Sequence, residues 1–211
     1  MKSPWLKIFW MGIVVLSCAA DLPAQSRKPE QLRPGKLLVA QRDSMDTNFS
    51  ETVILLVDYN EQGAFGLILN RKTKVSVMEG LPQLRGAEEY VGSVYLGGPV
   101  QLNSVMALLH DKVEPFPSKR VFGEVYLVAR KVELEAAIKA GARNDDLRLY
   151  VGYSGWGPGQ LDNEVNRGDW FNFDATEKLV FAADPATVWP TLIEQTDLRT
   201  AQASTPAPPK P

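Results

Sequence analysis

Apolar residues fall into short blocks between polar breaks, and the blocks carry two different periods. Lys36-Leu37-Leu38-Val39-Ala40 is short and apolar, and Thr52-Val53-Ile54-Leu55-Leu56-Val57 is continuous and rich in β-branched residues. An unbroken run of that length predicts a strand buried on both faces. Ala64-Phe65-Gly66-Leu67-Ile68-Leu69 follows the polar stretch Asp58 to Gly63, which suits a hairpin turn. Further strands are expected at 94–96, 105–110, 124–129, 147–153 and 170–173. The period changes at Val132, Leu134, Ala137 and Ile138, which recur at helical spacing before Gly141. A second short helix is expected from Pro158 to Val165, ended by Gly168. A third starts at Asp184-Pro185, where an N-cap residue precedes proline, and runs to about Glu194. Short connections predict an α+β fold with a mixed, largely antiparallel sheet and a few peripheral helices.

The two ends read differently. Lys2 and Lys7 precede the apolar run Ile8 to Leu16, and Ser17, Ala19, Ala20 and Ala24 follow it. This is the layout of a signal peptide over residues 1–24, and the run is too short to span a bilayer, which takes about 20 residues. Cleavage is expected before Gln25 or before Asp21. Val15-Leu16-Ser17-Cys18 also loosely matches a lipoprotein box, which would tether the chain to a membrane through acylated Cys18. The expected location is therefore the periplasm, with the cytoplasm as the alternative if the leader is not used. Residues 25–34 form a polar leader, 35–197 a single domain, and 198–211 a Pro/Ala-rich tail expected to be disordered.

Composition narrows the chemistry. A formal net charge of -2 disfavours nucleic acid as a partner, since phosphate binding needs a cationic surface. One cysteine excludes a disulfide framework, and one histidine excludes the usual multi-histidine metal centre. No metal and no cofactor is expected.

Gly152-Tyr153-Ser154-Gly155-Trp156-Gly157-Pro158-Gly159-Gln160 packs four glycines into eight residues between an expected strand and an expected helix. Together with Asp43-Ser44-Met45-Asp46, Phe49, Gly63-Ala64-Phe65-Gly66 through Asn70, Gly97-Gly98-Pro99-Val100 and Leu109-His110, it resembles the AlgH/YqgE family of bacterial proteins. The similarity spans residues 35 to 189. It implies a bifurcated sheet closing into a pseudo-barrel and, by the family's name, a role in regulating transcription. The export leader runs against that role. The chain also has Asp58-Tyr59 where many relatives carry an acidic residue and a histidine, so His110 is the family-like histidine that remains.

Two readings of the glycine segment stand side by side. Backbone amides before a helix can hold an anion or small ligand, although no Gly-Lys-Ser/Thr ending follows and the dinucleotide spacing is missed. Alternatively, Trp156 plugs the core while the glycines let two chain segments cross. The leading function is a non-catalytic module binding a small ligand or a protein through Asn70, Gly97, Gly98, His110, Gly155, Trp156, Gly159, Gln160 and Glu164. Gln160 and Glu164, four apart, are expected to share a helix face. The alternative is a small hydrolase in which His110 serves Ser154 as base, with Asp46 or Asp162 orienting it. Regulation of transcription is third.

Overall fold

The computed structural model describes residues 31–114, 118–143, 145–182 and 184–204, with side chains described as far as 198. The expected signal peptide, Cys18 and most of the polar leader lie outside the described residues. So does the end of the tail from residue 205.

The sheet divides at one strand. β9, Leu147–Trp156, pairs along one edge with β6, Val100–His110, in antiparallel register from Leu109 opposite Leu147 to Val100 opposite Tyr153. On its other side the partners change. Tyr150 and Val151 pair in parallel with β5, Ser93–Leu96, whereas Ser154 to Trp156 pair antiparallel with β3, Gly63–Ile68. One branch continues through β2, Val53–Asn60, and β1, Lys36–Ala40, to β10, Trp170–Asp174. Past β6 lie β8, Val125–Val128, and β7, Lys119–Phe122, and the polar β4, Lys72–Ser76, covers β5. The result is a curled, mostly antiparallel half-barrel: the α+β class follows the sequence pattern, and the divided sheet is the one that the family resemblance implies.

Burial follows the apolar blocks. Val53 to Val57 are all fully buried, as a strand covered on both faces requires. One core, including Leu55, Leu67, Leu108 and Tyr150, packs under α5, Val188–Ser204, through Val188, Leu192 and Ile193. A second packs Leu134, Ala137 and Ile138 of α2, Lys131–Lys139, on Leu109 and Leu149 with Val77 of α1, Val77–Gly80. A third joins Trp156, Trp170 and Leu161 of α3, Gln160–Arg167. The single-turn α4, Glu177–Val180, begins at a Thr176 N-cap.

Three boundaries differ from the sequence expectation. β9 runs three residues past the expected end at Tyr153, because the ladder to β3 carries it to Trp156. β6 starts five residues early, at Val100, because Val100 pairs with Tyr153 before an irregular stretch that rejoins the ladder at Val105. Helix α5 runs on to Ser204, past the expected helix end near Glu194. Ala201 and Ala203 favour helix, and the prolines begin only at 206.

Candidate functional site

A cleft of about 830 Å³ opens where β3, β6 and β9 meet the β2–β3 turn. Its apolar wall holds Phe65 and Tyr153, whose rings meet edge-on at 5.9 Å and 74°, with Val105 and Met106 beside them. Its polar rim holds Asp58, Asn60, Gln62, Gln101 and Ser104. Lys119 Nζ stands 2.9 Å from Asp58 Oδ2, so the rim carboxylate already has its counter-charge.

Irregular backbone shapes one side of the cleft. The β6–β9 register shifts between Val100 and Val105, and Gln101 takes a left-handed φ of 48°. That conformation costs a non-glycine residue about 1–3 kcal/mol and clusters at ligand clamps and active sites. Among the described residues, the Ser104 Oγ atom is buried on this wall with no hydrogen-bond partner. An unpaired buried hydroxyl costs about 1–3 kcal/mol.

The structure distributes the residues singled out from sequence. Gly155 and Trp156 line the cleft, and Trp156, only 6% exposed, separates it from a second cavity of about 450 Å³. That second cavity is lined by Phe49, Gln160, Glu164 and Trp170 among others. Gln160 Nε2 donates to Glu164 Oε1 at 2.9 Å, so the two share a face of α3. Gly159, at φ 68°, is the N-cap of that helix. Gly97 accepts the Ile68 amide at 2.9 Å and gives its own to Val151. Gly98 lies so close to β9 that an added Cβ would sit 2.2 Å from the Tyr153 carbonyl carbon. Asn70 accepts the Val53 amide at 2.9 Å and donates to the Glu51 carbonyl at 2.8 Å, which fixes the entry to β2.

His110 does not join this group. It ends β6 beside the start of β9, whereas Trp156 ends β9, so the length of that strand separates them. Antiparallel pairing, invisible in the linear order, sends them to opposite ends. The proposed hydrolytic set is not assembled either. Ser154 is fully buried and its hydroxyl donates to the Gly97 carbonyl at 3.2 Å. Asp162 accepts the Tyr59 hydroxyl at 2.7 Å, and this bond holds the Tyr59 phenol above its usual pKa. Asp46 accepts the Asn48 amide at 2.8 Å. His110 instead has Glu124 and Glu177 beside Nε2 and Asp146 beside Nδ1, and His110, Glu124 and Glu177 could hold a metal.

Sequence reasoning missed Phe65, Gln101, Ser104, Met106 and Tyr153 as cleft residues. The available signal was the polar interruption Gln101 to Ser104 between two apolar blocks.

Comparison with known proteins agrees with this architecture. Residues 37–201 match the AlgH-like family. A UPF0301 protein of Chlorobium limicola is 36% identical over 162 residues, covering 76% of this chain and 84% of that protein. A UPF0301 protein of Streptomyces avermitilis is 37% identical over 164 residues, covering 74% and 82%. Among solved structures, protein DIP2367 from Corynebacterium diphtheriae superposes with a TM-score of 0.66 at 25% identity, covering 83% of this chain and 93% of that one. The AlgH protein from Pseudomonas aeruginosa gives 0.65 at 26% identity, covering 86% of this chain and all of that one.

Proposed function

The chain belongs to the AlgH-like family, and we propose that it is a non-catalytic small-ligand-binding protein working through the cleft between β3, β6 and β9. The observation that carries this reading is the buried hydroxyl of Ser104, unpartnered among the described residues, on the wall of a large, partly apolar cleft. Concave, mostly apolar sites with a few placed polar groups are where small molecules bind. Asp58 is neutralised by Lys119, so the cleft suits an uncharged ligand. Its flat apolar part would lie against Phe65 and Tyr153, and its hydrogen-bonding edge would face Gln101 and Ser104. The basic-then-apolar leader supports export, so the ligand would be met in the periplasm.

Ser104→Ala separates this reading from a structural one. Removing an unpaired buried hydroxyl should stabilise the ligand-free protein by about 1 kcal/mol. The same change should lose the small molecule that co-purifies with the wild-type protein from its native periplasmic fraction, read by mass spectrometry of the extract. No enriched molecule in the wild type, or equal retention in the variant, overturns the proposal.

A further inference from the structure

We propose that His110, Glu124 and Glu177 form a binding site for one divalent transition-metal ion, best matched to zinc(II), at the end of β6 remote from the cleft. Three separate elements bring the ligands together: His110 closes β6, Glu124 lies in the turn before β8, and Glu177 opens α4. One ligand atom from each lies within 4.8 Å of the others. The placement is built rather than incidental. Val125 pairs with His110, which sets Glu124 next to the imidazole, and the Glu124 amide donates to Glu177 Oε1 at 3.3 Å. That bond leaves Glu177 Oε2 turned to the histidine.

The spacing is that of ligands around a shared centre. Nε2 of His110 lies 3.4 Å from Glu124 Oε2 and 3.3 Å from Glu177 Oε2. Charge-assisted hydrogen bonds run at about 2.7–2.9 Å, and neither contact is that short. Accordingly the Nε2 atom is buried without a hydrogen bond among the described residues. A tetrahedron with metal–ligand bonds of about 2.0–2.1 Å has edges of about 3.3 Å, which matches the two separations from Nε2, and the two glutamates lie within 4.8 Å of each other. The other ring nitrogen, Nδ1, stands 3.6 Å from Asp146 Oδ1. At that distance the carboxylate is an ionic neighbour and not a hydrogen-bond acceptor, but it is placed to take the Nδ1 proton's hydrogen bond once Nε2 turns to a metal, as in carboxylate–histidine–zinc arrangements. Two carboxylates and a neutral imidazole balance a doubly charged ion. Both glutamates are about two-fifths exposed, at 43% and 41%, so an ion can enter from solvent and a water can complete the shell. A chain with one histidine lacks a multi-histidine centre, and this mixed set answers that limit.

The test is titration of the full-length protein with Co²⁺ followed by displacement with Zn²⁺, in a Cys18→Ser background that removes the one thiolate. The expected result is one Co²⁺ per chain with the intense visible bands of tetrahedral cobalt, lost on adding one equivalent of Zn²⁺. Glu177→Gln, nearly isosteric, should weaken binding by more than Asp146→Asn, for which a loss of roughly 10–100-fold is expected. Circular dichroism checks that each variant is folded, and Glu177→Gln decides the matter if His110→Gln does not fold. Absence of saturable binding, or unchanged affinity in folded Glu177→Gln, overturns the proposal. Neither outcome bears on the cleft, which shares no residue with this cluster.

Discussion

The carboxylate of Glu164 accepts the indole N–H of Trp156 at 2.8 Å, and through that bond helix α3 grips the end of strand β9. The same oxygen, Oε2, takes the indole N–H of Trp170 at 2.8 Å, so β10 is held as well. The two indoles meet edge-on at 6.2 Å, with Phe49 against both. Glu164→Leu would leave two nearly buried N–H donors without an acceptor. Each costs about 1–3 kcal/mol, so a loss of roughly 2–5 kcal/mol is expected in urea denaturation. Glu164→Gln keeps an acceptor oxygen and should lose only about 1 kcal/mol. Equal losses in the two variants would show that the carboxylate oxygen is not what holds the indoles.

That clamp also shows how far local sequence reaches. Helical periodicity places Gln160 and Glu164 on one face, and they bond there. The unbroken run Val53 to Val57 announces its own burial, and Gly168 ends α3 where expected. Contacts set by strand register are a different matter. His110 meets Glu124 and Glu177, 14 and 67 positions away, only because β6 pairs with β8 and α4 folds back beside them. The cleft was illegible for the same reason: Phe65, Ser104 and Tyr153 come from three strands. β4 and β7 escaped notice because their exposed residues are mostly polar and charged, leaving no apolar alternation to read.

Arg148 is the largest fully buried side chain among the described residues, and both terminal nitrogens of its guanidinium donate to carbonyls. Nη1 donates to Val180 O at 2.8 Å and Nη2 to Ala182 O at 2.5 Å, which pins the chain leaving α4. The planar group also lies over Tyr95 and Phe181, at 5.1 and 5.6 Å from the ring centroids. A lysine cannot reproduce a planar fork that serves two carbonyls and two rings. Arg148→Lys should therefore cost about 2–4 kcal/mol in chemical denaturation. A loss below about 0.5 kcal/mol would mean that water or a shifted chain satisfies those carbonyls.

Lys36 is buried, and its ammonium lies 3.0 Å from Asp174 Oδ1, with Arg33 on the same oxygen. The hydrogen bond from Lys36 holds the Asp174 carboxyl below the usual range, helped by the charges of Lys36 and Arg33 and opposed by partial burial. A carboxyl whose folded pKa is depressed adds stability above its unfolded value, near 3.9, and loses it as pH falls through the folded value. Asp174→Asn should be less stable than the wild type by a constant amount above about pH 5. The gap should close as the pH falls below about 4. Urea midpoints measured from pH 7 to 2 give the curve, and a gap that widens in acid would reverse the assigned sign.

Two glycines test whether the crossing of the Gly97-Gly98 segment over β9 is a steric necessity. Gly98 has φ 154°, and a Cβ there would stand 2.2 Å from the carbonyl carbon of Tyr153 and 2.3 Å from its oxygen. Both are backbone atoms of a central strand, so neither can turn aside. Gly141 has φ 84°, and a Cβ there would meet nothing within 4 Å. Gly141→Ala should cost only the left-handed conformation, about 1–2 kcal/mol. Gly98→Ala adds a collision with the strand that carries Tyr153, and a loss above about 4 kcal/mol or failure to fold is expected. Because Tyr153 forms one wall of the cleft, a folded Gly98→Ala protein should also have lost its co-purifying ligand. Similar stability losses in the two variants would mean that β9 yields at the crossing, and that the glycine is there for its backbone angle alone.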